Sequence, residues 1–317
     1  MSLNETLGST YGLIFPGQGS QAVGMGKNLA DFSDAARQVM ERADEILGFP
    51  LSTLCYEGPA EGLNDTYNSQ AAIFTVSIAA LHALEEEARQ HDEYFVPMMV
   101  AGHSLGQFSA MVAAEVIEFE NALRLVRERG RLMKEAGTSH PGGMAAVIGM
   151  DDLKLAELVD QAANGDVLTI ANINCPGQTV ISGELAPLDR FMDLAKDAGA
   201  RKVARLPISI ASHSSLMAEA SATLNDLLDS MTFHEPKMPL VANTTGKALN
   251  TAEEIREELR HHAERGVDWT GTIQTMVDNG ITTFGELGPG SVLAGLNRRI
   301  DRTTKTVGLK ELGLPSA

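Results

Sequence analysis

The stretch AGHSLGQFSA, residues 101–110, decides the fold because it carries a Gly-x-Ser-x-Gly pentapeptide at positions 102–106. An apolar segment that predicts a strand at 97–101 precedes the pentapeptide, and a helix-like run follows at 105–117. A serine between a strand and a helix in this pattern is typical of a nucleophile elbow, a sharp turn that exposes the serine hydroxyl. The stretch therefore predicts that Ser104 is a nucleophile.

Outward from this turn, predicted strands alternate with predicted helices, which favours an α/β fold with a mainly parallel sheet. The strands are predicted at 11–15, 97–101, 240–243 and 282–286, and the helices at 32–47, 70–90, 105–117 and 119–136. The middle of the chain instead follows the order β-α-β-β-α-β, which is typical of a ferredoxin-like unit. We therefore expect an α/β-hydrolase-like catalytic domain formed by residues 1–139 and 210–317, with a small ferredoxin-like domain inserted at 140–209.

The composition restricts the partners and the compartment. The 317 residues carry a net charge of −17, which disfavours nucleic acid as a partner. No apolar run reaches the ~18–20 residues of a membrane helix, the N-terminus resembles no signal peptide, and two cysteines suit a reducing cytoplasm. We expect a cytoplasmic monomer that uses no metal and no cofactor.

A reaction at Ser104 needs N–H groups that stabilise negative charge. The helix N-terminus after the serine favours such charge, which makes the N–H of Leu105 one candidate oxyanion donor. The glycines of FPGQGSQ at 15–21 allow close backbone approach, and the N–H of Gln18 is the second candidate. The alternative for this loop is an ordinary Gly-rich turn between a strand and a helix.

A serine hydroxyl also needs a base, and His213 is the best candidate of the eight histidines. It follows the apolar segment 206–210 and starts the next helix. Four others are predicted to lie in or after charged helices: His82, His91, His261 and His262. His140 and His234 are predicted to lie in loops beside proline, and His103 is next to the serine on a turn whose neighbouring side chains point in different directions.

Arg129 is an arginine in the middle of an apolar helix stripe. The stripe has spacings of three and four and consists of Ala122, Leu125, Val126, Leu132, Met133 and Ala136. A guanidinium that faces the core needs an anion, because an unpaired buried charge is costly. That anion is either a core Asp or Glu or the carboxylate of a substrate, which Arg129 would hold as a bidentate clamp.

Together these residues resemble the malonyl-CoA:acyl carrier protein transacylase family, which shares its fold with the acyltransferase domains of fatty-acid and polyketide synthases. The resemblance covers essentially the whole chain. It rests on FPGQGSQ at 15–21, GHSLG at 102–106, Arg-Gly at 129–130, SHSSLM at 212–217 and GPG at 288–290, which stand in the family's order.

The resemblance implies a ping-pong transfer of malonyl from malonyl-CoA to the phosphopantetheine thiol of holo acyl carrier protein, in support of fatty-acid elongation. Ser104 would carry the malonyl group and His213 would act as base. The resemblance also assigns the oxyanion hole to Gln18 and Leu105, and the malonyl carboxylate to Arg129.

Two further residues take their roles only from the resemblance. Gln70 matches a glutamine that lines the family's pocket. The carbonyl that orients the histidine precedes a tryptophan in the family, which assigns it to Asp268, where relatives often have glutamine. The stretch IAS before His213 matches neither the malonyl-selective nor the methylmalonyl-selective motif, so the choice between these acyl groups stays open.

Two other functions compete with the transferase. A serine hydrolase, such as a thioesterase or esterase, could use a similar elbow, but its usual chain order is Ser, then Asp or Glu, then His. A scaffold with a decayed site conflicts with the presence of Ser104, His213 and Arg129 together. An acidic carrier protein would have to dock on basic clusters of this acidic chain, at 124–131, 201–205 or 298–302.

Overall fold

The computed structural model describes residues 3–316. Its strands are β1 Tyr11–Phe15, β2 Met99–Gly102, β3 Gly142–Ile148, β4 Leu168–Cys175, β5 Gln178–Glu184, β6 Lys202–Arg205, β7 Leu240–Val241, β8 Ala248–Leu249, β9 Val267–Asp268, β10 Thr283–Glu286 and β11 Lys305–Val307. Its helices are α1 Leu3–Leu7, α2 Lys27–Phe32, α3 Asp34–Leu47, α4 Leu51–Glu57, α5 Ala60–Asn64, α6 Thr66–Gln90, α7 Gly106–Ala113, α8 Phe119–Ser139, α9 Asp152–Ala163, α10 Leu185–Asp197, α11 Ala218–Ser230, α12 Ala252–Arg260, α13 Trp269–Asp278 and α14 Val292–Ile300.

The larger sheet within residues 3–316 has six strands in the order β11-β10-β1-β2-β7-β8. All of its neighbours are parallel except β7 and β8. The α/β fold with a mainly parallel sheet is therefore confirmed. Because β1, β2, β7 and β10 run in the same direction, the loops after them meet at one edge, which is where parallel sheets place their sites.

The second sheet has the order β6-β3-β5-β4-β9. Its first four strands are antiparallel, and they alternate with α9 and α10 in the predicted order β-α-β-β-α-β. The strand β9 joins this sheet in parallel with β4, although the sequence analysis placed it in the other domain. The boundaries at 140 and 209 stay a prediction, and strand pairing crosses them.

Two helices beside the larger sheet carry side chains of the site. The helix α6 is buried over most of its length, which fits an apolar sequence with few charges before residue 85. The helix α8 is amphipathic, and every residue of the predicted stripe is buried, Arg129 included. The two helices pack against each other, which brings Arg129 next to the start of α6.

Candidate active site

The turn between β2 and α7 is a strained strand-to-helix connection. Ser104 has a φ of +48°, a left-handed conformation that non-glycine residues seldom adopt. A Cβ on Gly102 would lie 1.9 Å from the backbone of Gly106, and a Cβ on Gly106 would lie 2.1 Å from the carbonyl oxygen of Phe15. The two glycines are therefore required by close backbone approach, and the turn has the geometry predicted for a nucleophile elbow.

Ser104 and His213 form a hydrogen-bonded pair. The serine Oγ lies 2.8 Å from the histidine Nε2, although 109 positions separate the two residues. The histidine Nδ1 lies 2.9 Å from the carbonyl oxygen of Arg265. A carbonyl can only accept, so Nδ1 carries the proton and Nε2 is free to accept the serine proton.

The electrostatic surroundings keep this histidine neutral. His213 is buried, and burial, followed by the positive charge of Arg129, lowers its pKa from 6.5 to about 3. A neutral imidazole is the form that can act as a general base. The pair is therefore ready to activate the serine at neutral pH.

The histidine-orienting role predicted for Asp268 is wrong, because the carbonyl that reaches Nδ1 belongs to Arg265, three positions earlier. The chain turns towards the histidine after α12, where the carbonyl of Ala263 also accepts the N–H of His213 at 2.8 Å. Asp268 instead caps α13, since its Oδ1 accepts the N–H of Gly271 at 2.8 Å. Its own carbonyl accepts the hydroxyl of Thr272.

Arg129 is a buried cation beside the nucleophile. Only 2% of the residue is exposed, its Nη2 lies 3.4 Å from Ser104 Oγ, and its Nη1 donates to Gln70 Oε1 at 2.6 Å. Burial lowers the pKa of Arg129 to about 10, so the guanidinium stays charged at neutral pH. Within residues 3–316 no Asp or Glu forms an ion pair with it, and its Nε has no partner.

The unpaired state of Arg129 decides between its two interpretations. A structural pair with a core carboxylate is excluded for the described residues, whereas an anion bound near Ser104 would supply the missing charge. The Gln70 amide supports the guanidinium from one side, and its Nε2 in turn donates to Met133 Sδ at 3.4 Å. Arg129 therefore lies at the nucleophile as predicted for a substrate-binding residue, whereas Gln70, predicted to line the pocket, is completely buried and contacts Arg129.

Two backbone N–H groups remain available beside the serine. The N–H of Ser104 itself is bound to Asn243 Oδ1 at 2.7 Å. In the part of the chain that the structure describes, the N–H groups of Leu105 and Gln18 have no protein partner. The loop that carries Gln18 lies directly against the elbow, since a Cβ on Gly17 would be 2.4 Å from the carbonyl oxygen of His103.

A cavity of about 210 Å³ lies over these groups, between the two sheets. On the side of the larger sheet, the lining residues include Gln18, Ser104, Leu105, Arg129 and His213. The other lining residues include Met144, Asn172, Asn174, Val180 and Leu206 from the second sheet and its edge, and Val292 and Leu293 of α14. Asn172 and Asn174 of β4 both line the cavity. Asn174 Oδ1 lies 2.8 Å from His103 Nε2 and ties the second sheet to the elbow.

Comparison with known proteins agrees with this geometry. The sequence matches the acyl transferase domain family over residues 12–309. The chain belongs to the acyl transferase family. Among its relatives are the malonyl CoA-acyl carrier protein transacylases of Bacillus subtilis, 38% identical over 96% of this chain and 94% of the relative, and of Escherichia coli K12, 39% identical over 97% of each. A solved complex of a type II PKS acyl-carrier protein with its malonyl-transacylase has a TM-score of 0.91 at 36% identity and covers 96% of this chain and 98% of its own.

In this acyl transferase, Asn243 is a residue of the site that the sequence analysis missed. It follows β7, the strand next to β2, and is completely buried. The only signal in the sequence is an asparagine at the end of a short apolar strand. That signal is too common to single out one residue before the strand order is known.

His262 was predicted to lie on a charged helix, and that prediction is wrong. The helix α12 ends at Arg260, so the helical pattern no longer applies, and the chain turns inward. The ring of His262 is buried, with its centroid 6.1 Å from that of His213 and 5.6 Å from that of Phe108. His261 caps the C-terminus of α12 and is partly exposed near Glu257.

Proposed function

We propose that this acyl transferase moves a malonyl group from malonyl-CoA to the phosphopantetheine thiol of holo acyl carrier protein, through a malonyl ester on Ser104. The observation that carries the proposal is the buried Arg129 cation, which lies 3.4 Å from Ser104 Oγ and has no acidic partner among residues 3–316. An acyl group that ends in a carboxylate supplies the anion that this cation lacks. The names of the relatives and of the carrier complex support the same substrate pair.

In the first half-reaction, Ser104 Oγ attacks the thioester carbonyl while His213 Nε2 takes its proton. The carbonyl oxygen becomes an oxyanion, which accepts the N–H groups of Gln18 and Leu105. Loss of one such donor typically raises the barrier by about 3–4 kcal/mol. The intermediate then releases the thiolate of coenzyme A, which takes the proton from His213.

In the second half-reaction, the carrier's thiol gives its proton to His213, and the sulfur attacks the malonyl-serine carbonyl. The same oxyanion donors serve again, and Ser104 leaves as an alkoxide that recovers the proton. The Arg265 carbonyl keeps Nδ1 protonated throughout, so the ring can cycle between neutral and charged forms without changing its tautomer. Arg129 holds the malonyl carboxylate during both steps, and Gln70 holds the guanidinium of Arg129 through its Oε1.

The proposed function also includes the domain architecture, the oligomeric state and the compartment. The larger sheet with its elbow supports an α/β-hydrolase-like catalytic domain, and the strand order of the second sheet supports a ferredoxin-like insert. Cys55 and Cys175 are buried free thiols, which suits a reducing cytoplasm. No helix in residues 3–316 is both long and apolar enough to cross a membrane. We propose a monomer that needs no metal or cofactor, acts in the cytoplasm and supplies fatty-acid elongation.

The test is intact-mass spectrometry after brief incubation with malonyl-CoA, with and without holo acyl carrier protein. We expect a malonyl adduct that is absent in Ser104→Ala and that disappears as the carrier gains the same mass. An adduct that decays to free malonate while the carrier stays unmodified would instead establish the alternative, a serine hydrolase. An adduct from methylmalonyl-CoA but none from malonyl-CoA would keep the mechanism and overturn the substrate.

A further inference from the structure

The carboxamide of Asn243 contacts the elbow on both sides of the nucleophile. Its Oδ1 accepts the N–H of Ser104 at 2.7 Å, and its Nδ2 donates to the carbonyl of Gly102 at 2.6 Å. The second Nδ2 proton goes to Gln107 Oε1 at 2.7 Å, and Gln107 Nε2 donates to the carbonyl of Val241 at 3.2 Å. Because each of these bonds has a fixed donor and a fixed acceptor, the carboxamides of Asn243 and Gln107 can each adopt only one orientation.

The backbone of Asn243 is fixed as firmly as its side chain. The neighbouring Thr244 donates its N–H and its hydroxyl to the carboxylate of Glu258, at 2.9 and 2.5 Å. The carbonyl of Asn243 accepts the N–H of Asp268 at 2.7 Å. The same residue thus connects the elbow to the segment that carries the Arg265 carbonyl behind His213.

We propose that Asn243 is the positioning residue of the nucleophile, which holds Ser104 in its left-handed conformation and leaves the Leu105 N–H for the oxyanion. A non-glycine residue in the left-handed region is strained and persists only where its surroundings hold it. Three hydrogen bonds from one carboxamide provide this support, two of them to the backbone of the elbow itself. The bond to Oδ1 also turns the Ser104 N–H away from the cavity, so the next N–H along the chain faces the substrate.

This role differs from that of Arg129, because Asn243 touches the nucleophile's backbone and not the acyl group. Removing its carboxamide should therefore slow every reaction of Ser104 alike, whatever acyl group is offered. A displacement of about 1 Å at a reacting atom can cost about 10²-fold in rate. We expect a loss of this size in kcat for malonyl-CoA and acetyl-CoA equally, with KM little changed.

The test compares the wild type with Asn243→Ala, Asn243→Ser and Asn243→Asp, with the carrier-independent probe phenylmethylsulfonyl fluoride as first readout. The rate of sulfonylation at Ser104, followed by intact mass, should fall about 10²-fold in Asn243→Ala and Asn243→Ser. Asn297→Ala is the matched control. Asn297 is also a completely buried asparagine, bound to Trp269 Nε1, but it touches neither Ser104 nor His213. It should lose stability and keep the sulfonylation rate.

The Asn243→Asp variant tests the direction of the hydrogen bonds. Its carboxylate can still accept the Ser104 N–H, but its other oxygen would face two acceptors, the Gly102 carbonyl and Gln107 Oε1. Protonation restores one donor, so sulfonylation relative to wild type should rise as the pH falls. An equal pH dependence in the two proteins would overturn the proposal.

Two further outcomes distinguish this inference from the proposed function. Wild-type sulfonylation rates in folded Asn243→Ala and Asn243→Ser, or a loss seen with malonyl-CoA alone, would show that Asn243 does not position the nucleophile. If wild type reacts with the sulfonyl fluoride but never with malonyl-CoA, the proposed function fails, and the sulfonylation series still decides the role of Asn243. If Asn243→Ala does not fold, the conservative Asn243→Ser and Asn243→Asp variants carry the test.

Discussion

Replacing Arg129 with alanine tests whether its buried charge selects the acyl group. In the structure, Nη1 is committed to Gln70, whereas Nη2 and Nε have no acidic partner within residues 3–316. A carboxylate on the acyl chain can therefore form two charge-assisted hydrogen bonds, each of about 1.5–3 kcal/mol. Breaking a buried pair of this kind costs about 3–5 kcal/mol.

At 1.36 kcal/mol per factor of ten, that cost predicts a loss of about 150- to 5,000-fold in kcat/KM for malonyl-CoA. Acetyl-CoA has no carboxylate, so its kcat/KM should change little in Arg129→Ala. Arg131→Ala is the matched control, because Arg131 lies on the polar face of the same helix and pairs with Glu128 and Glu135. It should leave both donors unaffected.

The assay measures transfer to holo acyl carrier protein from each donor under single-turnover conditions, together with the dependence of the rate on pH. Because the Arg129 charge lowers the pKa of His213, its removal should move the acid limb of the malonyl and acetyl profiles to higher pH. Equal losses for malonyl-CoA and acetyl-CoA would refute the carboxylate clamp and leave Arg129 with a structural role.

Three other predictions concern the site's supports. Asp268→Ala should lower the free energy of unfolding by about 1 kcal/mol, because it removes the cap of α13, and should leave the pH–rate profile unchanged. A shifted profile would show that Asp268 does influence His213. Burial lowers the pKa of His103, His213 and His262, so the unfolded chain binds protons below pH 6.5 that the folded chain does not. The free energy of unfolding, measured by urea titration, should therefore fall as the pH decreases below about 6.5, by up to about 1.4 kcal/mol per pH unit for each histidine. His262→Gln should make this dependence on pH shallower. The same slope in wild type and variant would contradict the prediction. Gly106→Ala should destabilise the fold by about 1–3 kcal/mol and abolish sulfonylation of Ser104, since its Cβ would lie 2.1 Å from the Phe15 carbonyl oxygen. A crystal structure of the variant with an unchanged elbow would contradict this, because it would show that the loop after β1 can move aside.

Local patterns were enough to predict the fold class and the chemical groups at the centre of the site. The elbow follows from two glycines around a serine, and the buried position of Arg129 follows from an apolar stripe with spacings of three and four. Both signals are short-range: the glycines report the local backbone conformation of the turn, and the apolar spacing reports the period of a helix. His213 could also be selected, since it lies between an apolar segment and the next helix.

The remaining features depend on which distant segments meet, and no local pattern reports that. Asn243 matters because β7 lies beside β2, and Arg265 supplies the carbonyl because the chain turns inward three residues before Asp268. His262 is buried because α12 has already ended, and β9 joins the second sheet although it begins 62 positions after β6 ends. The sequence by itself determined the nucleophile, the base and the buried cation. Only the tertiary structure decided which groups hold them in place, because residue type does not reveal a hydrogen bond to the backbone of a distant segment.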